Sequence, residues 1–476
     1  MPPYGNSNMI SKEERETLKG AQDIINQLSV ILRNAQIHDP RNIAVTNAIE
    51  KFLLLINQVT DSDRALALEL IGEYFYCNDV RVRYSLEHLL NFDYLVREFK
   101  KREIGRVVFS HGLKPQDMQM LLRAFLAGGF SSTPFETIQE MMSPVERIHV
   151  QILKKIKEGG GEDTRKVIKK VYYNAVSFAK GVMTKIKAGE KVNIKKAKRI
   201  VESMVDHLLE EENLLLGMTA IKDYDEYTYH HSVNVSILSV ALGQRLGMNK
   251  KMLTDLGLVA LFHDIGKIDI PTEILNKKTS FTEDEWRLVK RHPVWGVKAL
   301  LRLRGLDYTA IRSAIVAFEH HLHYDLSGYP MVRRHQELDL FSRIVTVVDQ
   351  YDAMTSARVY SRIPLSPDKA LSIMLERSGK QLDPLLFKFF TNMVGIYPIG
   401  ALVMLDTKEL GLVYESDTVF HDRPRVMIIV DQNGQRLLKG PVVALTEKDE
   451  KGNYRRSVVK TLDPNKYKIN LAEYLL

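Results

Sequence analysis

Five histidines and two aspartates, His231, His263, Asp264, His292, His320, His321 and Asp349, punctuate a stretch in which apolar residues recur at helical spacing. Three of the intervals, Asp264 to His292, His292 to His320 and His321 to Asp349, are each 28 positions. That spacing predicts successive helices packed around one centre, each delivering a group from a similar height. A single buried histidine is more often an ordinary core residue with its own partner. Seven such groups on apolar helices would each need a partner, whereas a shared cation satisfies them together.

The residue types suit that chemistry. Neutral imidazoles bind iron, manganese or zinc, and a carboxylate can bridge two ions. Two cations about 3.5–4 Å apart can activate a water and hold both oxygens of an in-line phosphoryl displacement. An adjacent His263-Asp264 pair supplies a terminal ligand and a bridge at one point, which makes Asp264 the candidate bridge and catalytic carboxylate. Gly266 permits close backbone approach. Lys267 follows His263 by one helical turn, within reach of a phosphate oxygen.

The order HSVNV, HDIGKIDIP, a later His-Pro at 292–293, the double histidine at 320–321, SGYP and DQYDAMTSAR resembles the HD-GYP domain, a bacterial branch of the HD phosphohydrolases. The resemblance runs over about residues 165–395. It implies a metal-dependent phosphodiesterase that hydrolyses the second messenger cyclic di-GMP to pGpG, with GMP as a further product. It implies Fe or Mn as the divalent metals. His231, His263, Asp264 and Asp349 would hold one ion, and Asp264, His292, His320 and His321 the second. Some members add a third through a glutamate four residues before the first histidine. Tyr227 stands there, so two metals are expected. Gly328, Tyr329 and Pro330 would border the substrate and offer a contact surface to protein partners, and Lys267, Lys277 and Arg358 are candidate phosphate contacts.

The chain departs from the pattern HHExxDGxGYP, which reads HHLHYDLSGYP here. Leu322 replaces a glutamate, Leu326 a glycine, and Ser361 stands where a cation is usual. These changes spare the metal ligands but touch the loop and the orientation of the histidines. His323 reads as a surface histidine. They motivate an alternative: a catalytically weak metal- and nucleotide-binding sensor or scaffold acting through protein partners. A third reading is another cyclic dinucleotide, because phosphate and metal contacts are blind to the base.

The elements that must position these groups are mainly helical. The expected fold class is mainly α: an all-helical HD-type metal-binding domain, a mostly helical N-terminal domain and a small C-terminal β domain. The division is a mostly helical domain at 1–150, regulatory by position; a linker at 151–163 around Gly159-Gly-Gly161; the HD-GYP segment at 164–395; and a β-rich segment at 396–476. Ser11 with Glu14 reads as a capping box, and residues 73–84 read as short strands around Asn78-Asp79. His38-Asp39 sits before Pro40 with no further histidine nearby and reads as loop. Thr282 ahead of Glu285 and Ser366 ahead of Pro367 mark helix starts. Beyond Pro398 the apolar alternation and Asn433-Gly434 signal strands and a hairpin.

Composition narrows the class. A chain of 476 residues exceeds one core. A single cysteine, Cys77, rules out an intramolecular disulfide framework and points to a reducing, cytoplasmic compartment. No apolar run approaches the roughly 18 residues of a membrane span, and the N-terminus lacks a secretion-signal pattern, so no membrane is expected. The net charge of +8 is concentrated: residues 151–200 hold fifteen Lys/Arg against four Asp/Glu. Ile168, Val171, Ala175, Phe178, Val182 and Ile186 interleave at helical spacing, so the stripe reads as a solvated helix face. No nucleic acid partner is expected, since no base-reading motif accompanies the charge. The C-terminal β segment reads either as a structural cap or as a homodimer contact.

Overall fold

The computed structural model describes residues 12–476 apart from 40–41, 61–64, 73, 79, 83–87, 154–161, 191–193, 221–226, 278, 303–307, 333–336, 357–363, 418–419, 438–439, 465, 468, 470, 472–473 and 475–476. The chain divides into two compact units, Met1–Glu158 and Gly159–Leu476. The capping-box serine, the Gly159–Gly161 linker and Asp79 lie outside the described residues.

The first unit runs α1 (Lys12–Ile37), α2 (Ile43–Val59), β1 (Leu66–Ile71), β2 (Tyr74–Cys77), β3 (Val80–Arg81), α3 (Leu89–Lys101), β4 (Ile104–Phe109), α4 (Pro115–Gly128), α5 (Pro134–Met142) and β5 (Ile148–Ile152). His38 and Asp39 are exposed in the loop between α1 and α2. Asn42 caps α2 by accepting from the Ala44 amide, which meets an orphan donor of the first turn. The strands form one antiparallel sheet in the order β3-β2-β1-β4-β5. Leu68 pairs with Cys77 on one side and Val107 on the other. Edge-on contacts of Phe52 with Phe109 and Phe75 with Phe99 fill the core beneath it. Strand β5 was not legible in the sequence, and the expected boundary at 150 falls inside it. IHVQI is short and buries only Ile148; pairing with β4, Val107 opposite Val150, makes it a strand.

The second unit opens with helices: α6 (Glu162–Lys187), α7 (Ile194–Glu210), α8 (Glu212–Met218), α9 (Tyr227–Arg245), α10 (Lys250–Leu261), a 3-10 helix (Ile265–Asp269), α11 (Thr272–Leu275), α12 (Glu283–Val289), α13 (His292–Arg302), α14 (Tyr308–Glu319), α15 (Leu340–Thr355), α16 (Pro367–Arg377) and α17 (Pro384–Val394). Helix α6 buries Ile168, Tyr172, Ala175, Ala179 and Val182 and leaves Lys166, Lys169, Lys170 and Lys180 outside, which accounts for much of the basic stripe as a solvated face. Thr282 and Glu285 form the capping box of α12, and Pro367 and Pro384 stand in the first turns of α16 and α17.

At the centre, α9 packs on α10 and α15. Helix α9 is buried almost all round, so its polar side chains need internal partners; the Ser236 hydroxyl donates to the Gly257 carbonyl at 2.7 Å. Gly257 lets the two helices approach, because a β-carbon there would lie 2.7 Å from Val201 and 2.8 Å from Val240. The five strands that follow, β6 (Leu402–Leu405), β7 (Leu410–Glu415), β8 (Arg425–Val430), β9 (Val442–Ala444) and β10 (Val458–Leu462), pair in the order β10-β6-β7-β8-β9. Leu402, Leu412 and Met427 face one side with Ile469 and Tyr474, while Val403, Val413 and Val426 face the other. Gly434, at φ 83°, makes the turn after β8. No helix among the described residues is long and apolar enough to cross a membrane.

Candidate metal centre

The expectation that each group sits along a helix holds for two of the seven. His231 lies on α9 and Asp349 on α15, but His263, His320 and His321 lie just past helix C-termini, and His292 opens α13. The physical reason is capping. The last carbonyls of a helix lack intrahelical donors. His263 Nδ1 bonds the Ala260 carbonyl at 2.7 Å, His292 Nδ1 the Val289 carbonyl at 2.8 Å and His320 Nδ1 the Ala317 carbonyl at 2.9 Å. Each histidine therefore caps the helix three residues behind it. A carbonyl can only accept, so Nδ1 carries the proton and Nε2 of the neutral ring presents a lone pair.

Those Nε2 atoms converge on Asp264. Its Oδ2 lies 3.3 Å from His263 Nε2 and 3.6 Å from His231 Nε2, and its Oδ1 lies 3.3 Å from His292 Nε2 and 3.6 Å from His320 Nε2. Asp349 Oδ1 lies 3.1 Å from His231 Nε2 and 3.7 Å from His263 Nε2. Two sets of ligand atoms gather within 4.8 Å, one from His231, His263 and Asp264, the other from Asp264, His292, His320 and His321. Asp264 belongs to both. Gly266 makes this possible: a β-carbon there would lie 2.0 Å from the His292 carbonyl, so the 3-10 helix lies directly on the start of α13.

The arrangement is unfavourable as it stands. His292 Nε2 and His320 Nε2 face each other at 3.2 Å with both Nδ1 protons committed elsewhere. His263 Nε2 and Asp264 Oδ1 are buried without a hydrogen bond, a costly state for polar atoms. Burial opposes ionising Asp264, yet Lys267 and His263 outweigh it and hold its carboxyl well below the usual range. Asp349 is likewise held low against burial by His231 and His263. Burial also opposes charging His263, but Asp264 and Asp349 push it up to about 10. Burial lowers His292 to about 3 and keeps His321 well below the usual imidazole range. Ionised Asp264 and Asp349 beside the neutral rings of His292 and His321 form a donor set that fits a divalent cation, which would take the place of the proton that His263 carries without it.

The loop after α14 closes one side. Tyr329 lies against His321 at 4.7 Å between ring centroids, and the edge of Trp286 meets Tyr329 at 6.2 Å. Gly328, at φ 96°, sits where a β-carbon would lie 2.4 Å from the His321 carbonyl. Leu326 takes φ 65°, so leucine keeps a conformation that favours glycine. Leu322 is buried and bridges to Gly328. His323 Nδ1 meets the Ser327 hydroxyl, and Asp325 accepts from the Ser327 amide and hydroxyl, tying the loop to itself.

Among the other expected residues, Lys267 pairs with Asp264, Pro330 follows Tyr329 in the loop, and Lys277 pairs with Glu285 on α12. Arg358 and Ser361 lie outside the described residues. Sequence reasoning missed Asp352, whose Oδ2 accepts from His231 Nδ1 at 2.7 Å. Its signal was a second aspartate three positions after Asp349, on the same face of α15.

A family profile described as HD domain matches residues 203–386. A cyclic di-GMP phosphodiesterase of Pseudomonas aeruginosa is 35% identical over 257 residues, 54% of this chain and 61% of the relative. Over residues 203–386 the chain is similar to the HD domain family. A cyclic di-GMP phosphodiesterase of Thermotoga maritima is 31% identical over 199 residues, 42% of this chain and 53% of the relative. A 3'3'-cGAMP-specific phosphodiesterase of Vibrio cholerae is 32% identical over 172 residues, 36% of each. The match thus spans 61% or less of these relatives' own lengths, and the range of the HD profile includes all seven of the clustered histidines and aspartates.

Proposed function

We propose that the HD-GYP domain binds two divalent metal ions, Fe or Mn, and hydrolyses cyclic di-GMP to pGpG, with GMP as the further product. The observation that carries this reading is Asp264 offering one oxygen to each histidine set. His231, His263, Asp264 and Asp349 hold one ion, and Asp264, His292, His320 and His321 the other. When bound, two such ions lower the pKa of a water and offset charge developing on the phosphodiester oxygens.

The chain's own residues do the rest. The Nδ1 anchors keep each ring from turning, so the lone pairs stay aimed inward. Lys267, beside Asp264, brings positive charge toward the scissile phosphate and assists electrostatically. Gly328, Tyr329 and Pro330 border the dinucleotide, with Arg358 as a further phosphate contact. Lys277 is the weaker candidate, because its partner Glu285 lies on α12 outside the histidine cluster, whereas the partner of Lys267 is Asp264 itself. The names of the relatives support cyclic dinucleotides as the substrate class and leave two bases to compare. Within the second unit, residues 164–395 carry the chemistry and 396–476 form the sheet.

The test is turnover of cyclic di-GMP by protein loaded anaerobically with Fe(II) or Mn(II), with 3'3'-cGAMP as competitor and His263→Ala and Asp264→Ala as controls. Product that vanishes in both controls is the expected result. Two bound metals without product would overturn it in favour of a sensor or scaffold.

A further inference from the structure

His231 differs from the other anchored histidines. His263, His292 and His320 rest on carbonyls three residues behind them, so local helix geometry alone aims their rings. The recorded Nδ1 partner of His231 is a side chain from another helix, Asp352 on α15. Its aim therefore depends on what holds Asp352.

The hydrogen bonds around Asp352 assign themselves. Its Oδ2 accepts from His231 Nδ1 and from the Ser356 hydroxyl at 3.2 Å, and its Oδ1 accepts from the Asn234 amide at 3.2 Å. The Asn234 amide also donates to the Thr219 carbonyl at 3.3 Å, so Asn234 Oδ1 is left to accept, and it does so from the Tyr172 hydroxyl at 2.9 Å. With its one proton so used, Tyr172 Oη accepts from His230 Nδ1 at 3.0 Å. Tyr172, His230, Asn234, His231 and Asp352 are all buried. Burial, reinforced by the Asp352 charge, holds the Tyr172 phenol well above its usual range, which keeps it a donor.

We infer that Tyr172 is a positioning residue for the His231 side of the metal centre, acting through Asn234 and Asp352. The inference rests on His231 being a metal ligand, as proposed above. Tyr172 lies on α6, the helix by which the chain enters the second unit. A displacement of α6 thus reaches the His231 side of the centre, while His292 and His320 on the other side keep their local anchors. Loss of the phenol leaves the buried Asn234 Oδ1 without that donor, which loosens the amide that holds Asp352 and, through it, the His231 ring.

The full chain is dialysed free of metal and titrated with Mn(II), with bound equivalents followed by electron paramagnetic resonance and the metal-free proteins compared by thermal melting. In Tyr172→Phe one of two equivalents should weaken by roughly ten- to a hundred-fold while the other holds its affinity. Asn234→Ala should do the same, and the double variant should be no worse than Asn234→Ala alone. Both equivalents at native affinity in Tyr172→Phe, or losses that add in the double variant, would overturn the inference. Should Tyr172→Phe not fold, the same comparison between Asn234→Ala and Asp352→Asn decides it. Native protein that binds no Mn(II) sinks the metal reading itself. Native protein with two equivalents, indifferent to Tyr172→Phe, sinks only this inference.

Discussion

Asp264 touches both halves of the histidine ring, its Oδ2 lying 3.3 Å from His263 Nε2 and its Oδ1 3.3 Å from His292 Nε2. On the two-metal reading proposed above, one carboxylate would serve both ions, so neither could be lost through it alone. Asp264→Asn should lose both metals, and turnover should fall by at least about a hundredfold. His263→Ala should empty chiefly one position. Metal content by mass spectrometry beside turnover separates the two; an Asp264→Asn protein that keeps two metals would contradict the shared carboxylate.

Leu326 holds φ 65°, which costs about 1–2 kcal/mol for a residue with a β-carbon. Glycine relieves this but loses more unfolded-state entropy, about 0.5–1 kcal/mol. Leu326→Gly should therefore stabilise the second unit by about 0.5 kcal/mol, seen as a small rise in melting temperature. A fall would mean that the half-buried leucine side chain contributes more packing than its backbone angle costs.

Trp286 is exposed and meets Tyr329, which lies on His321. If the centre cleaves a cyclic dinucleotide as proposed, this aromatic surface offers a base a stacking face, worth about 1–3 kcal/mol by alanine substitution. Trp286→Ala should raise KM for cyclic di-GMP about tenfold with kcat nearly unchanged. Hydrolysis of bis(p-nitrophenyl) phosphate, which has no base, should be unaffected; equal losses on both substrates would assign Trp286 to the fold.

Glu409 is buried, and although burial favours its neutral form, Arg456 at 2.7 Å and the Thr407 hydroxyl at 2.6 Å hold its pKa below the usual value. A folded pKa below the unfolded one adds stability above the unfolded value, about 4.3, and that stability is lost as pH falls through the folded value. Hydrogen exchange of residues 402–415 should therefore quicken from about pH 5 downward. Glu409→Gln should open more readily at pH 7 by about 1 kcal/mol and show a flatter pH profile. An unchanged profile would remove Glu409 as the acid-sensitive group.

The sequence by itself carried the order and types of the clustered histidines and aspartates and several helix starts. These depend on local chemistry: caps such as Thr282 with Glu285 and apolar spacing along α6. It also singled out Asp264 and Gly266, which the structure brings against His263, His292 and the start of α13. Strand β5 was hidden, because IHVQI becomes a strand only by pairing with β4. Asp352, Asn234 and Tyr172 were hidden for the same reason, since their roles come from hydrogen bonds spanning 58 to 121 positions of chain. Local spacing decided which atoms face inward on three histidines; only tertiary packing decided how His231 is held, because its anchor lies on another helix.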